Sequence, residues 1–173
     1  MIHYVKQIGD LINISNEVVR TAVRGILLRG DLILLIRTAK GDLKFPGGGL
    51  EENETFEEAL IREIREETGY VNVKVKTDNP FATYIERKID EYDTQAIFES
   101  RSYYSFVNVI GEEPIEVKLD HYEELLQFQA EWIPIKDAII QNTYALFSEE
   151  ETNDWVEREI TILQALLEWK KSQ

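Results

Sequence analysis

Three glutamates, Glu63, Glu66 and Glu67, stand at i, i+3 and i+4. On a helix that spacing gathers three carboxylates on one turn, where each like-charged pair costs a few tenths of a kcal/mol. Arg62 and Arg65 lie in the same run, but a hard divalent cation such as Mg2+ or Mn2+ prefers carboxylate oxygens and would resolve the repulsion better. An acidic run is otherwise an ordinary solvated face. The preceding loop shifts the balance. Pro46 fixes a turn, and the consecutive Gly47, Gly48 and Gly49 leave backbone N–H and C=O groups unshielded. A bare-backbone loop followed by convergent carboxylates suits a metal and a phosphate.

The surrounding elements must hold that pair of features in place. Thr55 with Glu58 three residues later predicts a capping box at the helix start, and Gly69 a left-handed residue at its end. Phe56, Leu60 and Ile64, with Ala59 beside them, give the helix an apolar stripe. Before the loop, residues 18–28 and 32–36 read as strands joined at the turn Arg29-Gly30-Asp31. The second run is continuously apolar, as in a strand buried on both faces. Residues 2–8 are a candidate edge strand. Arg37 and Lys40 follow the second run and read as solvent-exposed charge; because they lead into the loop, contact with a substrate phosphate is the alternative.

Downstream, Val71, Val73 and Val75 alternate with polar residues, as in a half-buried strand. Residues 81–85 and 96–109 are further strand candidates, and the charged segment 86–94 between them reads as a mobile loop. Tyr103, Tyr104 and Phe106 are expected in the core rather than against a nucleobase. Residues 112–119, with Pro114, read as an edge connection, and His121 has no partner motif. Pro134 opens a short helix through Ile140. Ser148 is the expected cap of a long helix that begins with acids at 149–151 and ends with Lys170 and Lys171, the charge order its dipole favours. That helix carries two stripes: Val156, Ile160, Leu163 and Leu167; and Trp155, Ile162, Leu166 and Trp169. One covers the sheet; the other is available to the rest of the chain or to the second subunit of a homodimer.

The chain has 173 residues, 43% of them hydrophobic, and no cysteine. This fits one globular domain over residues 1–173 and excludes disulfides and thiolate catalysis. No apolar run reaches the roughly 18 residues a membrane span needs, and the N-terminus does not read as a signal peptide; a cytoplasmic protein is the expectation. The net charge of −14 argues against nucleic-acid and anionic-membrane partners. A small phosphorylated substrate stays open, since a bound cation would neutralise it locally.

Gly48, five residues, Glu54, seven residues and then Arg62-Glu63-Ile64-Arg65-Glu66-Glu67-Thr68-Gly69-Tyr70 resembles the Nudix box, GX5EX7REUXEEXGU, in which U is a bulky apolar residue. All its fixed residues are present, and only Tyr70, aromatic where aliphatic residues are commoner, departs from the pattern. The resemblance implies an α/β/α sandwich, a mixed sheet flanked by helices. It implies Mg2+, with Mn2+ as the alternative, held by Glu63, Glu66 and Glu67 together with the Gly47 carbonyl. Glu54 and Arg62 would orient those glutamates. Arg37, Lys44, Gly48 and Tyr84 are the candidate substrate contacts. The family often adds a downstream glutamate; Glu116, Glu123, Glu124 and Glu131 are available, with Glu123 and Glu124 favoured. Glu66, Glu67, Glu123 and Glu124 are thus the candidate catalytic carboxylates.

The implied reaction is hydrolysis of a pyrophosphate bond in a nucleoside diphosphate linked to another moiety, such as ADP-ribose or a nucleotide sugar. The alternatives are a MutT-type nucleoside triphosphate pyrophosphohydrolase and a ligand-binding regulator that does not hydrolyse. Pro80 and Tyr84 both miss the positions of the family's substrate signatures, so the box leaves the substrate open. Capped RNA is disfavoured by the acidity and the lack of a basic track.

Overall fold

The computed structural model describes residues 1–76, 78–110, 123, 125, 127–148 and 152–173. In chain order the elements are β1 (Ile2–Gln7), β2 (Asn16–Ile26), β3 (Leu28–Arg29), β4 (Leu32–Arg37), β5 (Leu43–Lys44), α1 (Phe56–Thr68), β6 (Val73–Val75), β7 (Ala82–Ile89), β8 (Ala96–Val109), β9 (Gln129–Pro134), α2 (Ile135–Leu146) and α3 (Val156–Lys171). A five-stranded mixed sheet runs β1-β7-β8-β2, with β6 also on β8. β1 is parallel to β7 and β2 to β8, whereas β7 and β8 are antiparallel. A smaller antiparallel sheet is built around β4, flanked by β3, β5 and β9. The chain changes sheets at Leu27, which is why the strand expected over residues 18–28 divides. The turn at Gly30, with φ +59°, falls where the sequence places it.

Alternation along β4 gives the layers. Ile33 and Leu35 join a core with Leu43, Phe45 and Tyr104 under Ile162, Leu163 and Leu166 of α3. Leu34 points the other way, into a core with Val23 and with Leu60 and Ile64 of α1. Helices therefore cover both faces of the sheet layer, the expected α/β/α arrangement, and β4 is buried on both sides as its apolar run predicts. No helix among the described residues is long and apolar enough to cross a membrane.

Three expectations need correction. Residues 86–89 belong to β7, paired with β8 from Glu86↔Ser100 to Ile89↔Ile97; their charges are matched across the sheet, as in the Arg87 Nε–Glu99 contact of 2.9 Å, so polarity did not mark a loop. The reversal is confined to residues 90–95, where Asp90 Oδ1 accepts from the Tyr92 and Asp93 amides. α2 runs on past Ile140 to Leu146. α3 begins at Val156 without a side-chain cap; Ser148 instead closes α2, its hydroxyl donating to Ala145 O at 2.9 Å, and residues 149–151 lie outside the described residues. Tyr104 is a core residue against Phe45, and Phe106 packs on that core against Phe81; Tyr103 is half-buried against Phe56. Trp169 rests on Phe106 at 4.9 Å, so the second stripe of α3 is covered within the chain.

Candidate active site

α1 forms as its sequence dictates. The Glu58 amide donates to Thr55 Oγ1 at 3.2 Å and Glu58 Oε2 accepts from the Thr55 amide at 2.9 Å, the reciprocal cap of two orphan donors. Gly69 ends the helix at φ +73°. With Ala59, Leu60 and Ile64 fully buried against β2 and β4, the glutamate stripe cannot turn to solvent. Glu63 and Glu67 are consequently buried.

The glycine loop makes room for them. Gly47 has φ +137°, and a Cβ there would overlap the Val23 carbonyl. A Cβ on Gly48 would occupy the space of the Glu63 carboxylate. Only residues without side chains allow β2, the loop and α1 to meet this closely. The Gly47 amide donates to Glu67 Oε2 at 2.7 Å, and Lys44 Nζ donates to Glu67 Oε1 at 2.5 Å and to Gly47 O at 3.3 Å. Arg24 Nη1 also donates to Gly47 O.

Arg62 organises the outer side. Its Nε and Nη2 grip both oxygens of Glu54 at 2.8 and 2.9 Å, a bidentate pair. Nη1 donates to Glu63 Oε1 at 2.8 Å and Glu66 Oε2 at 3.3 Å, and Nη2 to Gly49 O at 3.2 Å. The Arg62 hydrogen bonds hold the Glu54 carboxyl below its ordinary pKa. The Glu63 carboxyl is raised instead, first by burial and then by the neighbouring Glu67 charge. Among the described residues Arg62 is its sole donor.

Glu123 completes a group: single carboxylate oxygens of Glu63, Glu67 and Glu123 lie within 4.8 Å of one another. All three are hard oxygen donors, one Glu63 oxygen has no donor among the described residues, and the Cβ-free Gly48 leaves that oxygen its space. The residues therefore fit a divalent cation. Sequence reasoning reached Glu63, Glu67 and Glu123; Glu66 is outside this group, less buried and held by Arg62. Glu124, Glu116 and His121 lie outside the described residues.

Beside the loop opens a cleft of about 520 Å³, which Lys44, Gly47 and Gly48 line together with Arg20, Arg24 and Arg158. Lys40 is also on its wall. Two of the candidate substrate contacts are elsewhere. Arg37 is bound to Glu131 and to Gln141 Oε1 at 3.2 Å, which also accounts for Glu131. Tyr84 is a core residue facing Tyr4 at 6.1 Å, its hydroxyl pushed up to about 12, by burial above all. Of the cleft residues that sequence reasoning missed, Arg20 and Arg24 carry a period-two signal: with Ala22 between them they share one face of β2.

The cleft's far wall is fixed by buried polar bonds. Asp42 accepts from Thr38 Oγ1 at 2.7 Å, Asn153 Nδ2 at 2.7 Å and Trp155 Nε1 at 2.8 Å, tying residues 153–155 to the segment before β5. Asn142 clasps the backbone of Leu43 with two bonds of 2.8 Å.

The family model described as the NUDIX domain matches residues 18–156. An ADP-ribose pyrophosphatase of Methanocaldococcus jannaschii is 48% identical over 60 residues, 32% of this chain and 35% of that protein. An RNA pyrophosphohydrolase of Marinomonas sp. is 46% identical over 48 residues, 26% of this chain and 30% of that protein. The match thus spans about a third of each curated relative. Among solved structures, the E. coli ORF135 protein superposes with a TM-score of 0.53 at 20% identity, covering 90% of this chain and 93% of that one. A NUDIX hydrolase from Nitrosomonas europaea gives 0.53 at 20% identity, covering 84% and 88%. Both are likenesses of fold.

Proposed function

The chain belongs to the NUDIX domain family, and from that premise we propose that it is a pyrophosphohydrolase dependent on a divalent cation, Mg2+ or Mn2+. Its substrate would be a small nucleoside diphosphate derivative such as ADP-ribose or a nucleotide sugar. The single observation that carries the reading is the buried carboxylate group of Glu63, Glu67 and Glu123 against a glycine loop that opens into a cationic cleft. Residues 1–173 would act as one domain. The likeness to an ADP-ribose pyrophosphatase over 60 residues supports the substrate class.

In this reading Glu63, Glu67 and Glu123, with the Gly47 carbonyl, would hold the cation, and Glu66 would join them from the same turn. Bound there, it supplies stabilisation of negative charge on the phosphoryl oxygens. Water attacks one phosphorus, the bridging P–O bond breaks with its oxygen leaving on the other phosphorus, and two phosphomonoesters result; both protons of the water are released when the products leave as dianions. A carboxylate accepts the proton from water; Glu66, Glu67, Glu123 and Glu124 are the candidates. Glu54 holds Arg62 and Arg62 holds Glu63, so both act as positioning residues. Lys44 and the amide of Gly48, both on the cleft wall, would meet the substrate's phosphate.

A panel of nucleoside diphosphate and triphosphate compounds, incubated with Mg2+ and separately with chelator, tests this. The expected result is cleavage of at least one compound only with the cation, its product masses naming the bond. Ligand-induced melting shifts without cleavage in either condition would favour a non-hydrolytic binding protein.

A further inference from the structure

In a chain of net charge −14, one cleft concentrates cations: Arg20, Arg24, Lys40, Lys44, Lys88 and Arg158 line it, against the acids Glu86 and Asp154. Three of the six are already engaged. Lys44 is paired with Glu67 at 2.5 Å, Arg158 with Glu159 at 2.7 Å and Lys88 with Glu91 at 3.0 Å. Arg20, Arg24 and Lys40 have no carboxylate in ion-pair reach among the described residues. Arg24 is the most telling. Its Nη1 donates to Gly47 O, but its Nε is buried without a partner, and a buried donor left unmade costs more than a typical bond returns.

The topology places these cations beside the reaction centre. Arg20, Ala22 and Arg24 alternate on one face of β2, and the register sets Arg20 opposite Ser100 and Ser100 opposite Glu86, so the sheet face itself is the floor. Gly47 and Gly48 form part of the same wall. The glutamate group and its cation deal with the pyrophosphate that is cleaved. A neutral sugar or base in the cleft would leave two guanidinium forks and an ammonium without a counter-charge. A further phosphate group brings about −1.5 to −2 charge and three strong acceptor oxygens, and guanidinium is suited to receive them in pairs.

We propose that the cleft formed by Arg20, Arg24 and Lys40 receives a phosphate group that the substrate carries beyond the pyrophosphate being cleaved. This rests on the pyrophosphohydrolase reading and narrows its substrate class. The phosphate has two possible sources, the end of a longer polyphosphate chain or a phosphate ester on the sugar of the leaving moiety.

Matched pairs separate the sources: ATP against ADP for the chain, NADPH against NADH for the sugar ester, each assayed for kcat/KM with Mg2+. The wild type should favour the extra phosphate by about tenfold or more in one pair. The exposed double variant Arg20→Gln with Lys40→Gln should bring that ratio towards one. Ratios near one in both pairs, with the plain members still cleaved, would overturn the proposal and leave the hydrolase reading standing. If no compound is cleaved the hydrolase reading fails, and melting shifts decide the cleft. Adenosine 2′,5′-bisphosphate should then raise the melting temperature more than AMP, or ATP more than ADP, in the wild type but not in the double variant; equal shifts within both pairs in the wild type would overturn the site.

Discussion

Two helices of this protein each carry an Arg-Glu pair whose glutamate is buried, and the two glutamates are treated differently. On α3, Glu159 is fully enclosed and every side of it is met by a donor. Its Oε2 accepts from the Phe45 amide at 3.0 Å; its Oε1 accepts from Tyr104 Oη at 3.2 Å and Arg158 Nε and Nη2 at 3.0 and 2.7 Å. On α1, Glu63 receives only Arg62 among the described residues and faces two further carboxylates. A buried charge with its donors complete is a structural element. One left incomplete beside like charges is arranged for a ligand. The first also serves the second, because Phe45 leads directly into the glycine loop.

The largest effect expected from this contrast is on turnover. Glu67→Gln should lower kcat by about a thousandfold with Mg2+ while the chain keeps its circular dichroism spectrum; full activity would remove the cation-site assignment. Glu159→Gln should act on stability instead. It leaves Arg158 buried without its counter-charge, a loss of about 3–5 kcal/mol in urea unfolding. An unchanged midpoint would show that Glu159 is not the anchor described here.

The α1 side of this comparison was legible in the sequence because one helix turn and one loop contain all of it but Glu123, which only the family resemblance put among the candidates. Spacing alone put Glu63, Glu66 and Glu67 together, and the Thr55–Glu58 cap fixed their phase. The α3 side was not. Glu159 interrupts the stripe Val156, Ile162, Leu163 and Leu166, and the residues that satisfy it, Phe45 and Tyr104, are distant in the chain. A lone acid inside an apolar stripe was the available signal. The cleft was hidden for another reason: Glu86 and Lys88 are charged strand residues facing a polar cavity, so their composition mimicked a loop. Arg37 misled in the opposite direction, since its position before the loop suggested a phosphate contact whereas Glu131 across β9 takes it.

Smaller effects sharpen the contrast. Glu54→Gln should weaken Mn2+ binding by about 10–100-fold, the usual range for a residue behind a metal ligand; calorimetry showing no change would detach Glu54 and Arg62 from the site. Lys44→Met should tighten Mn2+ binding by about tenfold, since the ammonium that competes for Glu67 and Gly47 O is gone. Weaker binding would mean that Lys44 supports the cation rather than opposing it. Thr55→Ala should cost about 1 kcal/mol through the lost cap. The Thr55 hydroxyl and amide hold the Glu58 carboxyl below its ordinary pKa. The hydroxyl's share of that contribution is present above the usual carboxylate range and lost as pH falls through the lowered value, so the gap between the melting temperatures of variant and wild type should narrow in acid, leaving the bond from the Glu58 amide to Thr55 Oγ1.

On the cation-site proposal the carboxylates of α1 hold a metal ion and that of α3 does not. Titration of Mn2+, followed by the loss of its free electron paramagnetic resonance signal, into wild type, Glu63→Gln and Glu159→Gln tests it most directly. Stoichiometric binding is expected from the wild type and from folded Glu159→Gln, with binding by Glu63→Gln weakened by about tenfold or more. Equal binding by wild type and Glu63→Gln would contradict it.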